Sequence, residues 1–367
     1  MAENKITISR PDDWHVHLRD ESIMRSVIED TAINFGRAVV MPNLDPPILT
    51  VKDALSYKQR LLDAINLLIT NNKKINAQID NEDTLRLFKP LMTIYLSEDT
   101  SFEELQKVSE MEDIIALKFY PSGATTNSQY GVRDLKNCYK IFEFMSRLNI
   151  ILCIHGEVVN PDIDIFDREK NFIDNHLIPL RKKFPELKIV FEHVSTQEAV
   201  EYISDSGGNL AATITPQHLI FNRNDLLVGG IKPHRYCAPI LKTEKDRLAL
   251  VKAATSGDSR FFIGTDSAPH LIGEKESNCG CAGCYTAPHA IPIYLEVFEV
   301  EKKLKEFEKF TSLNGPKFYG LPVNSEKVEI VKTTWTPDNL VINSKHEKIL
   351  PLAYGRKLTW KVVGLNF

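Results

Sequence analysis

The chain has 367 residues, of which 43% are hydrophobic and 26% charged, with a formal net charge of -4. That balance suits an ordinary soluble globular protein, leaves no basic excess for nucleic acid or a membrane surface, and at this length suits one β/α barrel of roughly 250 residues with insertions. No stretch approaches the roughly 18 uninterrupted apolar residues of a membrane span, Met1–Lys5 begins no signal peptide, and six cysteines without one read as reduced thiols, so the expected compartment is the cytoplasm.

Eight short apolar runs, rich in β-branched residues, read as strands in chain order: Ile6 to Leu18, Gly36 to Asn43, Phe88 to Leu96, Ile114 to Tyr120, Asn149 to His155, Leu187 to His193, Asn209 to Thr215 and Arg260 to Asp266. Amphipathic segments between them, such as Asp53 to Ile69, Asp134 to Leu148 and Thr243 to Ala254, read as helices. Capping-box signals stand at Thr100-Ser101-Phe102-Glu103 and Ser195-Thr196-Gln197-Glu198. His289 to Thr311 reads as a further helix whose Glu299 to Lys303 face is solvated, and the last forty or so residues turn β-rich and aromatic. The expected fold is therefore a (β/α)8 TIM-type barrel over residues 1–322, with a C-terminal β-rich extension over 323–367 packed on it. An open doubly wound sheet would normally have fewer strands and a Gly-x-Gly-x-x-Gly turn after the first, which is absent.

Strands buried on both faces should be continuously apolar, yet nearly every run ends in a potential ligand or substrate contact. His15 and His17 close the first run, Asn43 the second, and Lys118 the fourth; His155, His193, Thr215 with His218, and Asp266 with His270 follow. His15 and His17 are i and i+2 in an extended segment and so point to one side. Alone, a His-x-His pair reads as two surface or hydrogen-bonded histidines. Six of ten histidines lie at or just past predicted strand ends, and in a closed barrel those ends share one rim, so together they indicate a metal-dependent active site.

Four imidazoles and a carboxylate suit zinc or a similar first-row ion better than magnesium or calcium, but are generous for one site and slightly short for two. Lys118 is a lone cation in the apolar run Ala116-Leu117-Lys118-Phe119-Tyr120. Desolvation and nearby metal would favour its neutral amine; without the histidines it would read as a lysine snorkelling to the rim or paired with Asp266.

The segments Asp13-Trp14-His15-Val16-His17-Leu18-Arg19, Met41-Pro42-Asn43, Leu117-Lys118-Phe119-Tyr120-Pro121, Ala124-Thr125-Thr126-Asn127-Ser128, His155-Gly156-Glu157, Phe191-Glu192-His193 and Gly264-Thr265-Asp266-Ser267-Ala268-Pro269-His270 resemble, in order and spacing, the dihydroorotases. Thr215-Pro216-Gln217-His218-Leu219, Pro233-His234-Arg235-Tyr236-Cys237 and Cys279-Gly280-Cys281-Ala282-Gly283-Cys284 resemble the short bacterial-type class of that family, within the amidohydrolase superfamily. The resemblance runs from about residue 6 to the Asn314-Gly315-Pro316 region and on towards the C-terminus.

It implies two zinc ions bridged by a carbamate on Lys118, with His15, His17 and Asp266 at one ion and His155 and His193 at the other. The reaction implied is the reversible cyclisation of N-carbamoyl-L-aspartate to L-dihydroorotate in pyrimidine biosynthesis, with metal-bound hydroxide attacking on ring opening and Asp266 as general acid and base. Arg19, two residues beyond His17, would grip the substrate carboxylate with Asn43 and His270. Thr125 and Thr126 would close on it from a lid over Pro121 to Gly131, hinged at Gly123 and Gly131, and the backbones of Ala238 and Ala282 would hold the ring amide. Many relatives carry leucine where this chain has Ala238. A homodimer is expected from the family.

Two other classes remain. A hydrolase of another cyclic ureide would share the metal ligands without needing Arg19, Asn43 and the threonine lid, and a non-catalytic scaffold would lose ligands that this chain retains. Three thiols at Cys279, Cys281 and Cys284 make an incomplete tetrahedral zinc set, so small residues that let the backbone approach substrate are the expected meaning of that segment. His176, His234, His289 and His346 carry no assigned role, and His218 no firm one.

Overall fold

The computed structural model describes residues 4–72 and 81–366; Met1 to Glu3, read above as part of the N-terminus, lie outside them. Eight parallel strands form one sheet in sequence order: β2 (Asp13–Val16), β3 (Arg37–Val40), β4 (Lys89–Tyr95), β5 (Ile114–Phe119), β6 (Ile151–Ile154), β7 (Ile189–Phe191), β8 (Leu210–Ile214) and β9 (Phe261–Ile263). Each lies inside a run read from the sequence. The ring closes between β2 and β9 through His17 N–H to the Ser267 carbonyl at 2.9 Å and Asp266 N–H to the His15 carbonyl at 2.9 Å. This is the expected TIM-type barrel.

The first run is not one strand. β1 (Lys5–Ser9) leaves the barrel and pairs antiparallel with β10 (Lys327–Trp335), which pairs in turn with β13 (Leu358–Asn366); β11 (Val341–Ile342) and β12 (Lys348–Ile349) form a hairpin between them. The break falls at Arg10 and Pro11, since proline cannot donate to a ladder and Arg10 turns its guanidinium onto the carbonyls of Ala32 and Thr84 at 2.6 and 3.1 Å. The extension is thus stitched to the barrel by the chain's own beginning.

Two capping signals sit one residue later than read. Ser101, not Thr100, caps Phe102–Ser109 by accepting from Glu104 N–H at 3.2 Å, because Thr100 is engaged by Ser97 N–H at 3.0 Å. Thr196, not Ser195, caps Gln197–Asp205: its hydroxyl accepts from Ala199 N–H at 3.2 Å while donating to the buried Glu169, which also holds Ser195. The helix read over His289 to Thr311 ends at Val300, where Lys302 takes a left-handed φ of 58°. Its charged face is only partly solvated: Glu299 accepts from Trp360 Nε1 at 3.0 Å and pairs with Lys332, while Glu296 accepts from Thr359 N–H at 2.6 Å.

Trp14, fully buried, stacks on Tyr319 with centroids 4.4 Å apart and leaves no room above Gly315, where a Cβ would stand 1.9 Å from the indole Nε1. Gly315→Ala must displace that ring. The expected loss is about 1–3 kcal/mol despite alanine's better helix propensity, read as a lower urea midpoint; an unchanged midpoint would show that the site has slack.

Candidate metal centre and substrate cavity

The strand ends deliver the ligand candidates to one rim. His15 and His17 converge as alternation requires, with their Nε2 atoms 3.3 Å apart. Asp266 Oδ1 lies 3.3 Å from His15 Nε2 and 3.1 Å from His17 Nε2, so all three buried groups offer ligand atoms within 4.8 Å of one another. The imidazoles then continue in line, with ring centroids 5.0 Å apart from His15 to His193 and 4.8 Å from His193 to His155. Lys118 in β5 is fully buried; its Nζ has no hydrogen-bond partner among the described residues and lies 5.2 Å from the Tyr120 ring centroid.

Burial lowers the proton affinity of Lys118, and burial, with repulsion from Lys118 among the further causes, lowers that of His15, His17 and His193. The rim therefore favours the neutral amine and neutral imidazoles, the forms that can bind a metal. Burial raises Asp266, against the pull of His15 and Lys118. Neutral nitrogen donors with a carboxylate and an orphaned buried amine fit a borderline first-row cation such as zinc.

Other groups fix these side chains. Glu192 Oε2 stands 3.0 Å from His15 Nδ1 and accepts the Thr213 hydroxyl at 2.5 Å, and the same hydroxyl receives His193 N–H at 2.7 Å. Asn43 Oδ1 meets His17 Nδ1 at 2.8 Å, and Glu157 Oε2 meets His155 Nε2 at 2.8 Å. Glu169 gathers the N–H and hydroxyl of both Ser195 and Thr196, at 2.5 to 3.1 Å, just past His193. His193 and Asp266 hold left-handed φ values of 41° and 45°, conformations that persist only where such contacts over-determine them.

A small cavity opens over the rim. The four histidines, Asp266, Arg19, Asn43, Tyr120, Thr125, Thr126, Ala238, Ala268, Ala282 and Gly283 line it, while Lys118 lies beneath. Arg19 reaches it by a route other than the expected alternation: β2 ends at Val16, and Arg19 turns in through a φ of 59°, its carbonyl taken by the Tyr57 hydroxyl. Its Nε donates to the Pro269 carbonyl at 3.1 Å, and its Nη2 lies 2.9 Å from His270 Nε2. His270 thus stands behind the guanidinium rather than on the cavity wall, and burial, then Arg19, push its pKa down to about 2. A neutral imidazole here orients the cation without repelling it.

The Pro121 to Gly131 segment folds over the mouth. Asn43 Nδ2 donates to the Thr126 carbonyl at 2.9 Å and Asn127 Nδ2 to the Asn43 carbonyl at 3.0 Å, so Asn43 joins this loop to His17. Gly123 uses its freedom at φ 83°, but Gly131 is required by close approach, since a Cβ there would lie 2.4 Å from the Tyr120 carbonyl oxygen. His218 is placed as a pin: its Nδ1 meets Thr215 Oγ1 at 2.7 Å and its Nε2 the Pro239 carbonyl at 3.0 Å, fixing the loop of Ala238.

Glu192, Glu157 and Tyr120 belong to the site although sequence reasoning gave them no role. A carboxylate within an apolar buried run is costly unless partnered, and that signal was present at Glu192.

A barrel whose rim carries these ligands is the architecture of metal-dependent amidohydrolases, and the amidohydrolase family model matches residues 12–332. A dihydroorotase of Delftia acidovorans is 50% identical over 363 residues, covering 99% of each chain. Crystal structures of dihydroorotases from Campylobacter jejuni (33% identity, TM-score 0.85, covering 99% of this chain and 98% of that one) and Saccharomyces cerevisiae, solved with 5-fluoroorotic acid (31%, TM-score 0.86, 98% and 99%), superpose on it. Within the amidohydrolases, the chain belongs to the dihydroorotase family.

Glu192→Gln keeps the shape of the side chain while removing the charge facing His15. Metal affinity should fall by about 10–100-fold, the range for groups that orient a ligand, measured by competition with a chromophoric chelator; unchanged affinity would assign Glu192 to packing alone.

Proposed function

We propose that this chain interconverts N-carbamoyl-L-aspartate and L-dihydroorotate as a dinuclear zinc enzyme. The observation that carries the reading is the conjunction, in one cavity, of a neutral-ligand rim with the Arg19 guanidinium. A rim alone would suit any cyclic ureide; a half-buried cation beside it selects a substrate that also carries a carboxylate.

His15, His17 and Asp266 would hold one zinc ion and His155 and His193 the other. Lys118, whose buried unpartnered amine can attack carbon dioxide and lose a proton to become a carbamate, would be shared by both. The bound ions would polarise the ring carbonyl and make a water acidic near neutral pH. Everything else falls to the protein. Arg19, held by His270 and Pro269, presents a fixed donor fork to the carboxylate. Asp266 takes a proton from the attacking water and returns it to the ring nitrogen as the amide C–N bond breaks; in the cyclising direction it removes the proton from the ureido nitrogen. Thr125 and Thr126 close the mouth and exclude bulk water, with Asn43 beside them. Ala238 and Ala282 offer main-chain groups to the ring amide. Among the described residues no helix is long and apolar enough to cross a membrane, and we read the chain, on family grounds, as a cytoplasmic homodimer.

The test is the initial rate of L-dihydroorotate opening by zinc-loaded, bicarbonate-treated protein, with metal content measured on the same sample. A substantial rate at about two zinc ions per chain is expected; two ions without that rate would favour another ureide, and no metal and no rate a scaffold. Lys118→Ala should lose zinc and activity together, with short carboxylic acids and added zinc restoring part of the rate. Arg19→Gln should keep its zinc but lose at least about thirtyfold in kcat/KM, the lower end of the 2–5 kcal/mol expected for stripping one partner from a buried charged contact. Retained efficiency would remove Arg19 from recognition.

A further inference from the structure

Lys275 is a buried lysine in the short helix Ile272–Lys275, and nothing in the chemistry above uses it. Its Nζ donates to three backbone carbonyls, those of Tyr236 at 2.8 Å, Cys281 at 2.6 Å and Gly283 at 2.8 Å, which are all the hydrogen bonds an ammonium can give. These carbonyls belong to the two loops that bring Ala238 and Ala282 to the cavity wall. Gly283 N–H also donates to the Tyr236 carbonyl at 2.9 Å, so that oxygen is shared between the loops and the ammonium. The Ala282 carbonyl points the other way, to His270 Nε2 at 3.1 Å. The peptide between the two carbonyls that Lys275 holds is thereby turned towards the Arg19–His270 pair. No carboxylate bonds Lys275 among the described residues, and its charge reaches His270, where it adds to that of Arg19 in disfavouring protonation.

We propose that Lys275 is a positioning residue for substrate: it clamps the Tyr236 and Cys281–Gly283 backbones in the register that presents Ala238 and Ala282 to the ring amide, and places a second fixed positive charge behind the carboxylate end of the cavity. The inference rests on the dihydroorotate reading above. A near-isosteric neutral variant, Lys275→Met, removes the three donors and the charge while leaving every metal ligand in place.

Its zinc content should match the wild type, with KM for L-dihydroorotate raised about tenfold or more and kcat changed by less than about threefold. Unchanged KM in a folded, zinc-loaded variant would overturn the proposal, as would zinc loss with a fall in kcat at constant KM, which marks a purely structural role. Should Lys275→Met not accumulate as folded protein, Lys275→Gln, neutral and one donor short of the three, decides by the same split: raised KM supports the charged three-carbonyl clamp, and wild-type KM shows that neither the charge nor the third bond is needed and ends it. A wild-type protein that opens no dihydroorotate ends both readings, whereas an active wild type with an unaffected variant ends only this one.

Discussion

The site depends on how the barrel is closed. β2 and β9 are the first and last strands of the ring, and at their seam the buried carboxylate of Asp13 takes Thr265 N–H at 2.8 Å, the Thr265 hydroxyl at 2.5 Å and His15 N–H at 3.2 Å. A carboxylate at 0% exposure is tolerated only because all these donors converge on it, and burial still pushes its pKa up to about 7. Because it grips one strand beside His15 and the other beside Asp266, the contact that closes the barrel also fixes the spacing of a three-ligand set. Slippage by one residue at this seam would turn His15 and His17 out of the rim.

Around that seam the histidine candidates are backed by buried polar groups. Glu192 faces His15, Asn43 faces His17, Glu157 faces His155, and Glu169 anchors the turn after His193. Glu192, Asn43 and Glu157 meet a ring nitrogen and so set ring orientation, whereas Glu169 fixes the backbone that carries His193. Lys118 Nζ, like His193 Nδ1, has no hydrogen-bond partner among the described residues. An isolated ammonium would be the most expensive group in the barrel; a neutral amine, or an anion shared by cations, resolves that cost.

Much of this architecture was legible in the chain because two periodicities were intact. Eight apolar runs located every barrel strand, and the polar residues that interrupt them marked the rim, so His15, His17, His155, His193 and Asp266 meet where their positions at strand ends place them. What was not legible depends on pairing between distant segments. Pro11 marks the break between Ile6 to Ser9 and the strand that follows, but where the first piece goes depends on its partner strand β10, some three hundred residues away. Ser195 and Thr196 are equally good caps on paper, and the choice falls to Glu169, which binds both but leaves Thr196 facing the helix. Arg19 was placed in the cavity for a reason the backbone does not follow, since the left-handed turn at φ 59° replaces strand alternation.

Left-handed φ values at Arg19, His193 and Asp266 stand where the chain has left a strand and turns a side chain inward, whereas His17 and His155 face the cavity directly from the ends of β2 and β6 without one. At those three positions a regular strand end would carry the side chain onward, out of the cavity. Turning it back costs of order 1–3 kcal/mol at each non-glycine position, and the compensating contacts are Tyr57 on the Arg19 carbonyl, Thr213 on the His193 N–H and His15 on the Asp266 N–H. Two of these compensating residues sit on neighbouring strands, Thr213 on β8 and His15 on β2, and Tyr57 lies in the helix Val51–Asn72 that follows β3. Strain at the rim is therefore balanced by the barrel as a whole. The (β/α)8 frame supplies rigid neighbours at every strand end, and with them a row of imidazoles, a buried amine and a cationic fork can be held ready before any ligand arrives.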